Sequence, residues 1–315
     1  AKGDRTQIIR KAGTAAIELL EKARETTLAE NNKSHINLYV ALGIKSRACL
    51  AEGDWDGAFK AAKRVIDEGG YAVGTKSDLT GGMNSLDKQN VMWGAGIQVA
   101  DQAGGYAGFF THMDNKEGAY AKSAPKLISK QLYNRISATD IRRDWWDPSD
   151  KESPYVSKKF SFANVASFLG DYIYMRVEEM YFTAAEAALR LDDLKSAREL
   201  MNTVMAERDP GYSANNRSGT LLGATTTTWT GSFLENILTH RRIELWGEYG
   251  RLFDVRRLGQ GIDRRTDDGF SEECISMMNR RNVNITKADT YDWVLTIPKA
   301  ELDANPNINE EDQNP

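Results

Sequence analysis

Apolar residues recur at helical spacing along much of the chain. In residues 5–29, Ile8, Ile9, Ala12, Ala15, Ala16, Leu19 and Leu20 fall on one face, and Asn31-Asn32 closes the run. Residues 35–51 and 55–68 read as two further helices. The turn Glu52-Gly-Asp-Trp-Asp-Gly57 between them is short, so they are predicted to lie antiparallel, and Gly69-Gly70 is a C-terminal stop. A second pair follows at 174–191 and 194–207, turning at Leu191-Asp-Asp-Leu194. A last helix is predicted from Ser232 onwards, running through His240–Gly259.

The two pairs superpose in sequence. Trp55, Ala58 and Val65 stand where Leu194, Ala197 and Val204 stand in the second pair. A small residue near the start of the second helix lets two helices approach closely. This is similar to a degenerate tetratricopeptide-type unit occurring twice. Such stacks need about three or more units, so residues 5–29, the helix after Ser232 and helices N-terminal to this chain are expected to complete it. The fold class is therefore mainly α: tetratricopeptide-like helix pairs supporting a large loop-rich region with a few short strands.

The helix predicted after Ser232 carries its charges on the wrong side for a solvated face. At about 100° per residue, Arg241, Glu244, Glu248 and Arg251 share a narrow arc that Leu234, Ile237, Leu238 and Leu245 overlap or border. Charges on an inward face must be paired, because a lone buried charge costs several kcal/mol. The signs run plus, minus, minus, plus, so Arg241–Glu244 and Glu248–Arg251 are the expected pairs. The functional alternative is an acid/base site on Glu244 and Glu248. No histidine cluster or metal-ligand set stands near them in sequence, which favours a structural role.

This segment, Arg-Arg-Ile-Glu-Leu-Trp-Gly-Glu-Tyr-Gly-Arg-Leu-Phe-Asp-Val-Arg-Arg-Leu-Gly, resembles the signature helix of the SusD/RagB family. Two more stretches resemble that family. Met-Arg-Val-Glu-Glu-Met-Tyr-Phe followed by Ala-Glu-Ala-Ala at 185–188 matches its Arg-x-x-Glu, aromatic, Ala-Glu-Ala pattern, with Arg176, Glu179 and Glu186 in the charged positions. Arg176 and Glu179 are read as further members of the internal ion-pair network. Trp293-Val-Leu-Thr-Ile-Pro298, Asn305-Pro-Asn and Gln313-Asn-Pro315 resemble its closing segment; Val294, Leu295 and Ile297 suit a short extended piece, and the prolines exclude helix there. The resemblance implies a SusD-like fold and a surface-exposed, lipid-anchored outer-membrane protein of a Gram-negative bacterium. It also implies non-catalytic capture of oligosaccharides, or less often peptides, and delivery to a SusC-like TonB-dependent transporter. Signal peptide, lipidated Cys and an N-terminal portion would then lie outside this chain.

Composition narrows the remaining classes. The 315 residues are 41% hydrophobic and 27% charged, with a net charge of −4, so no basic patch for nucleic acid is indicated. No apolar run is long enough for a membrane helix. Cys49 and Cys274, and His35, His112 and His240, are too scattered for a zinc site or disulfide framework. No nucleophile elbow, phosphate loop or dinucleotide fingerprint occurs, Thr266-Asp267-Asp268-Gly269 does not space as a calcium loop, and no cofactor or metal is implied.

Three regions follow: 1–75 with the first helices, 76–172 loop-rich, and 173–315 with the second pair, signature helix and extended C-terminus, expected as one continuous unit. Glycines and aromatics crowd 71–172, and 209–231 is polar and Thr-rich. A sugar ring stacks its apolar face on an aromatic ring and offers hydroxyls to polar side chains, so loops carrying both are the candidates. The candidate ligand residues are Tyr106, Phe109, His112 and Asn115, with Phe110 and Asp114 beside them; Trp145 and Trp146 among Arg142, Arg143, Asp144 and Asp147; and Trp229. Adjacent aromatics in an extended segment face opposite ways, so at most one of each pair is expected free. Trp93 is read as packed and Trp229 as more often packed than free; the family resemblance implies a structural Asp-x-Arg element at Asp140 and Arg142. The rival readings are a tetratricopeptide-type protein–protein adaptor and, behind it, a glycan-processing enzyme using Glu244 and Glu248.

Overall fold

The computed structural model describes residues 14, 15, 17–19, 22, 32–100, 108–215, 231–260 and 296–313. The described part of the first predicted helix (14, 15, 17–19 and 22) is helical, and Ile17 packs against the main core; the rest lies outside the described residues. Helix α1 (Leu38–Glu52) starts at Asn37, whose side chain accepts from Val40 N–H, and ends at left-handed Gly53. Helix α2 (Trp55–Glu68) starts at Asp54, which accepts from Gly57 N–H.

The loop-rich region contains short elements. They are α3 (Lys76–Thr80) with a complete capping box, strand β1 (Val91–Ala95), helices α4 (Phe109–Met113), α5 (Ala119–Ser123) and α6 (Lys130–Tyr133), a 3-10 turn at Ile141–Trp145, and the pair β2 (Trp146–Asp147) and β3 (Val156–Ser157). Strand β4 (Tyr172–Arg176) returns antiparallel to β1 and runs without a loop into helix α7 (Val177–Arg190). The helix predicted at 174–191 therefore begins later: Tyr174, Met175 and Arg176 are strand residues, and Arg176 sits extended at the junction.

Helix α8 (Leu194–Ala206) starts at Asp193, whose side chain accepts from Ser196 N–H, the same device as Asp54 in the first pair. Helix α2 packs directly on α7, so the two pairs are neighbours although the loop region separates them in sequence. Ala58, Val65, Ala197 and Val204 are all fully buried. Ala58 meets Cys49, Leu50 and Ala187 where α1, α2 and α7 converge. The central helix α7 has 12 of its 14 residues buried and also carries α9 (Phe233–Glu244).

The signature segment is not one helix. It breaks after Glu244, turns through Leu245–Gly250 and resumes as α10 (Arg251–Arg257). Gly247 and Gly250 both have left-handed backbone, φ 74° and 116°. At the C-terminus the exclusion of helix by the prolines is corrected: a short helix α11 (Lys299–Ala304) follows Pro298, where the missing N–H costs the helix nothing. Ile297 is clasped by Gln313, whose side-chain amide accepts from its N–H at 2.8 Å and donates to its carbonyl at 3.0 Å. Val294 and Leu295 lie outside the described residues.

Among the described residues, two large cores result, beside the small cluster around Ala58. One lies between the helix pairs; the other is aromatic and lies under the loops, built on Phe110, Trp145, Trp146, Phe160 and Phe162 with Ile243 from α9. If small residues set the helix-pair spacing, Ala197→Leu will lower stability by about 1–3 kcal/mol through overpacking. Lys195→Ala on the open side will change it by about 0.5 kcal/mol or less. Urea midpoints of the two variants measure this, and equal midpoints would contradict the packing.

Candidate functional site

The break after Glu244 decides where the charges go. Glu244 closes α9 with no solvent exposure and is held by three guanidiniums: Arg142 at 3.1 Å, Arg176 at 3.0 Å and Arg208 at 3.0 Å. The two left-handed glycines turn the chain back so that Glu248 faces Arg176 (2.8 Å) and Lys159 (2.5 Å). A β-carbon on Gly247 would stand 2.5 Å from the Phe160 ring, so this turn has no room for one. Arg208 also bonds Glu178 (2.8 Å) and the Gly74 carbonyl (2.6 Å), and Arg142 bonds Asp140 (2.6 Å). Four cations and four carboxylates thus compensate one another in one cluster. Arg142 Nη2 lies 2.9 Å from His240 Nδ1; an arginine only donates, so that nitrogen accepts and the proton of a neutral ring sits on Nε2.

A second cluster ties α10 to the helices. Arg241 bonds Asp254 (3.0 Å) and Thr183 (3.2 Å) and approaches Glu179 at 3.5 Å. Glu179 takes Arg47 at 2.6 Å, and buried Glu186 takes Arg257 at 2.7 Å and Arg190 at 3.0 Å. The pairing read from sequence is corrected: Arg241 does not pair with Glu244, nor Glu248 with Arg251; Arg176 and Glu179 lie in separate clusters. A continuous helix would have set those neighbours, but strand, break and two helices place them elsewhere. Arg251 instead donates to Gln260 at 3.3 Å.

Burial alone would raise the Glu244 carboxyl, but Arg208, Arg176 and Arg142 together hold it well below the usual range. Glu248 is likewise held low against burial by Arg176 and Lys159, and Glu186 by Arg257 and Arg190. Burial pushes the Lys159 ammonium down to about 8, against the pull of Glu248. Held ionised, neither carboxylate carries a proton to give, and Glu244 has no solvent exposure. Glu244 and Glu248 are therefore placed as members of an ion-pair network, each carboxylate bound by two or more cations.

The candidate ligand residues fare differently. Trp145 and Trp146 are 2% and 1% exposed, so neither ring is free, and their place among the candidate ligand residues is corrected. The first enters the 3-10 turn rather than an extended piece and donates its Nε1–H to the Leu79 carbonyl; the second is walled by Trp145 and Trp246. Phe109 and Phe110 lie on helix α4, not a strand, and Phe109 packs edge-on against Phe110 and Phe160. Asn115 is a staple: its side chain donates to the Ser157 carbonyl at 2.7 Å and accepts from Lys126 N–H at 2.8 Å. Asp114 is buried and accepts from Lys116, Glu117 and Phe162 N–H. Trp93 is half-buried, edge-on to Tyr174. Tyr106 and Trp229 lie outside the described residues.

His112 remains at the surface. Its ring lies parallel to that of exposed Tyr120, with centroids 4.6 Å apart and planes 6° apart. A second surface feature is a depression of about 430 Å³ bordered by Lys76, Tyr133, Arg143, Asp144, Asp147 and Lys158. Among the described residues, no group of three His, Cys, Asp or Glu side chains could hold a metal ion.

Sequence reasoning missed Arg208, Lys159, Glu178, Arg47, Asp254 and Arg257 as network members. Asp254 and Arg257 stand in the signature segment itself, and Glu178 adjoins Glu179. Arg208 and Lys159 lie in loop-like sequence, where no periodicity marks a residue as inward.

A family model for the SusD family matches residues 111–315. No curated protein matches the chain. Among solved structures, the chain is similar to a SusD-like carbohydrate binding protein from Bacteroides vulgatus ATCC 8482, with 28% identity, a TM-score of 0.63, and 81% of this chain and 53% of that chain covered. It is also similar to a SusD superfamily protein from Bacteroides thetaiotaomicron VPI-5482, with 23% identity, a TM-score of 0.72, and 97% and 66% covered. Surface glycan-binding protein A from Bacteroides uniformis is 16% identical, with a TM-score of 0.61 and 97% and 68% covered. The chain thus spans 53% and 66% of the first two structures.

Two outcomes test the buried charges. Glu244→Gln leaves three guanidiniums short of their shared carboxylate and is expected to cost about 3–5 kcal/mol in urea unfolding; a loss under about 1 kcal/mol would mean the cluster is not tightly enclosed. For Lys159, the unfolded chain still holds a proton between about pH 8 and 10.5 that the folded chain has released. Stability from this group therefore rises with pH across that window, by at most about 1.4 kcal/mol per pH unit. Unfolding of the wild type against Lys159→Met over that range measures it, and a constant difference would contradict the burial of the ammonium.

Proposed function

The chain belongs to the SusD family, and on that footing we propose that it binds oligosaccharides at the cell surface without transforming them and passes them to a SusC-like TonB-dependent transporter. The observation that carries this reading is the family match across 111–315, joined to a carbohydrate binding protein as a structural relative at 28% identity. The surface chemistry is compatible. The His112–Tyr120 stack is a flat apolar face, and the C–H face of a pyranose packs on such a ring. Tyr106 and Trp229 are proposed as further ring contacts, with Asn115 and Phe109 supporting the loop rather than touching ligand.

The non-catalytic part of the reading rests on Glu244 and Glu248, whose carboxylates are committed to arginine and lysine. Anchoring through an N-terminal lipid is proposed from the family alone. Among the described residues, no helix is long and apolar enough to cross a membrane.

Affinity electrophoresis against a panel of polysaccharides, followed by calorimetry with oligosaccharides of the retarding polymer, tests the proposal. Retardation by at least one glycan is expected. The double variant His112→Ala, Tyr120→Ala should bind roughly tenfold more weakly, the equivalent of about 1.4 kcal/mol, with an unchanged urea midpoint. Binding of peptides with no glycan bound would overturn the carbohydrate reading. Unchanged affinity in the double variant would overturn the stack as the platform.

A further inference from the structure

We propose that the depression beside the Asp140–Arg142 pair binds an acidic saccharide, through the carboxylate of a uronate unit. The proposal rests on the carbohydrate reading above and names a ligand class for it. At about 430 Å³ the depression falls within the roughly 300–1,000 Å³ of ligand clefts, but its border is polar, which suits a polyol better than an apolar molecule.

Three cations and three carboxylates border it, but the carboxylates are not equally free. Asp140 is bound to Arg142 at 2.6 Å and Asp147 faces Lys158 at 3.6 Å, so both carboxylates are already answered. Lys76 and Arg143 then stand against Asp144, a surplus of one positive charge. Among the described residues, neither the Lys76 ammonium nor the Asp144 carboxylate has an ion-pair or hydrogen-bond partner. The whole chain carries −4, so this surplus is local and is not part of a general attraction for anions.

The cation is prearranged. Arg143 donates from Nη1 to the Ile136 carbonyl at 2.7 Å, and its guanidinium lies 4.4 Å from the centre of the Tyr133 ring. Its backbone lies in the 3-10 turn, which starts at Asp140, where the carboxylate accepts from Arg142 N–H, and rests on the buried charge cluster. A guanidinium fixed at one edge keeps its remaining donors for a planar carboxylate. Asp144, the next residue on the same turn, is an acceptor for the hydroxyls that flank a uronate carboxylate. A neutral sugar would use Asp144 and leave the surplus cation unanswered.

Calorimetry with de-esterified oligogalacturonate and oligoglucuronate, each against its methyl ester, tests this. The ester keeps the sugar and removes the charge. At least one acid is expected to bind tenfold or more tightly than its ester. That preference should weaken with added salt. It should vanish in Arg143→Gln, Lys76→Gln and persist in His112→Ala, Tyr120→Ala. A sulfated neutral oligosaccharide serves as a control: an equal preference for sulfate over its unsulfated parent would overturn the assignment to carboxylate. Equal binding of acid and ester, or a preference that survives loss of Arg143 and Lys76, would overturn the site. If neutral glycans bind while acids gain nothing, this inference falls and the carbohydrate reading stands; if no saccharide binds, both fall. Lys76→Gln is expected to leave the urea midpoint unchanged; Arg143→Gln also gives up its bond to the Ile136 carbonyl, so its midpoint is expected to fall slightly and binding is read below that transition, where the protein is folded.

Discussion

One carboxylate, that of Glu244, joins three separate parts of the chain. Arg142 brings the loop region, Arg176 the strand–helix junction and Arg208 the end of the second helix pair. Each arginine is itself held by a further carboxylate, so no charge in the cluster is left without an opposite. Desolvating so many ions is costly, and a well-packed apolar cluster of the same size could be as stable. What the ions add is geometry: a guanidinium accepts partners only along its fork, so the relative placement of the three segments is specified and not merely favoured.

The repeated helix pair was legible in the sequence because periodicity, small residues and caps agree. Trp55 and Leu194, Ala58 and Ala197, and Val65 and Val204 repeat at one spacing, and Asp54 and Asp193 begin both second helices. The solved structures that resemble this chain share this mainly helical architecture. Where sequence reasoning failed, local pattern met a tertiary constraint. Angular bookkeeping placed Glu248 and Arg251 on one continuous helix, yet Gly247 and Gly250 break it. A glycine inside an apolar helical pattern reads as a tolerated defect until a close approach, here to Phe160, shows why it is needed.

The surface was less legible for a related reason. Trp145 and Trp146 look like ligand aromatics because they sit among charges in a loop, but the loop encloses an aromatic core of its own. Asn115 and Asp114 have the side chains a sugar would seek and spend them on main-chain N–H and carbonyl groups instead. Lys159 carries no periodic signal at all, yet its ammonium is enclosed with Glu248 and two carbonyl oxygens. By contrast, Arg143 and Asp144 were visible in sequence only as neighbours of the tryptophans; burial of the rings is what leaves the polar residues facing out.

The direct packing of α2 on α7 has a kinetic consequence. Each pair closes over a turn of a few residues, so each can form early from local contacts alone. The interface between them joins segments far apart in the chain, and forming it must close the whole intervening region into one loop. Assembly of the core should therefore proceed as the docking of two preformed hairpins. The strand β4 that leads into α7 would be ordered only as that docking completes.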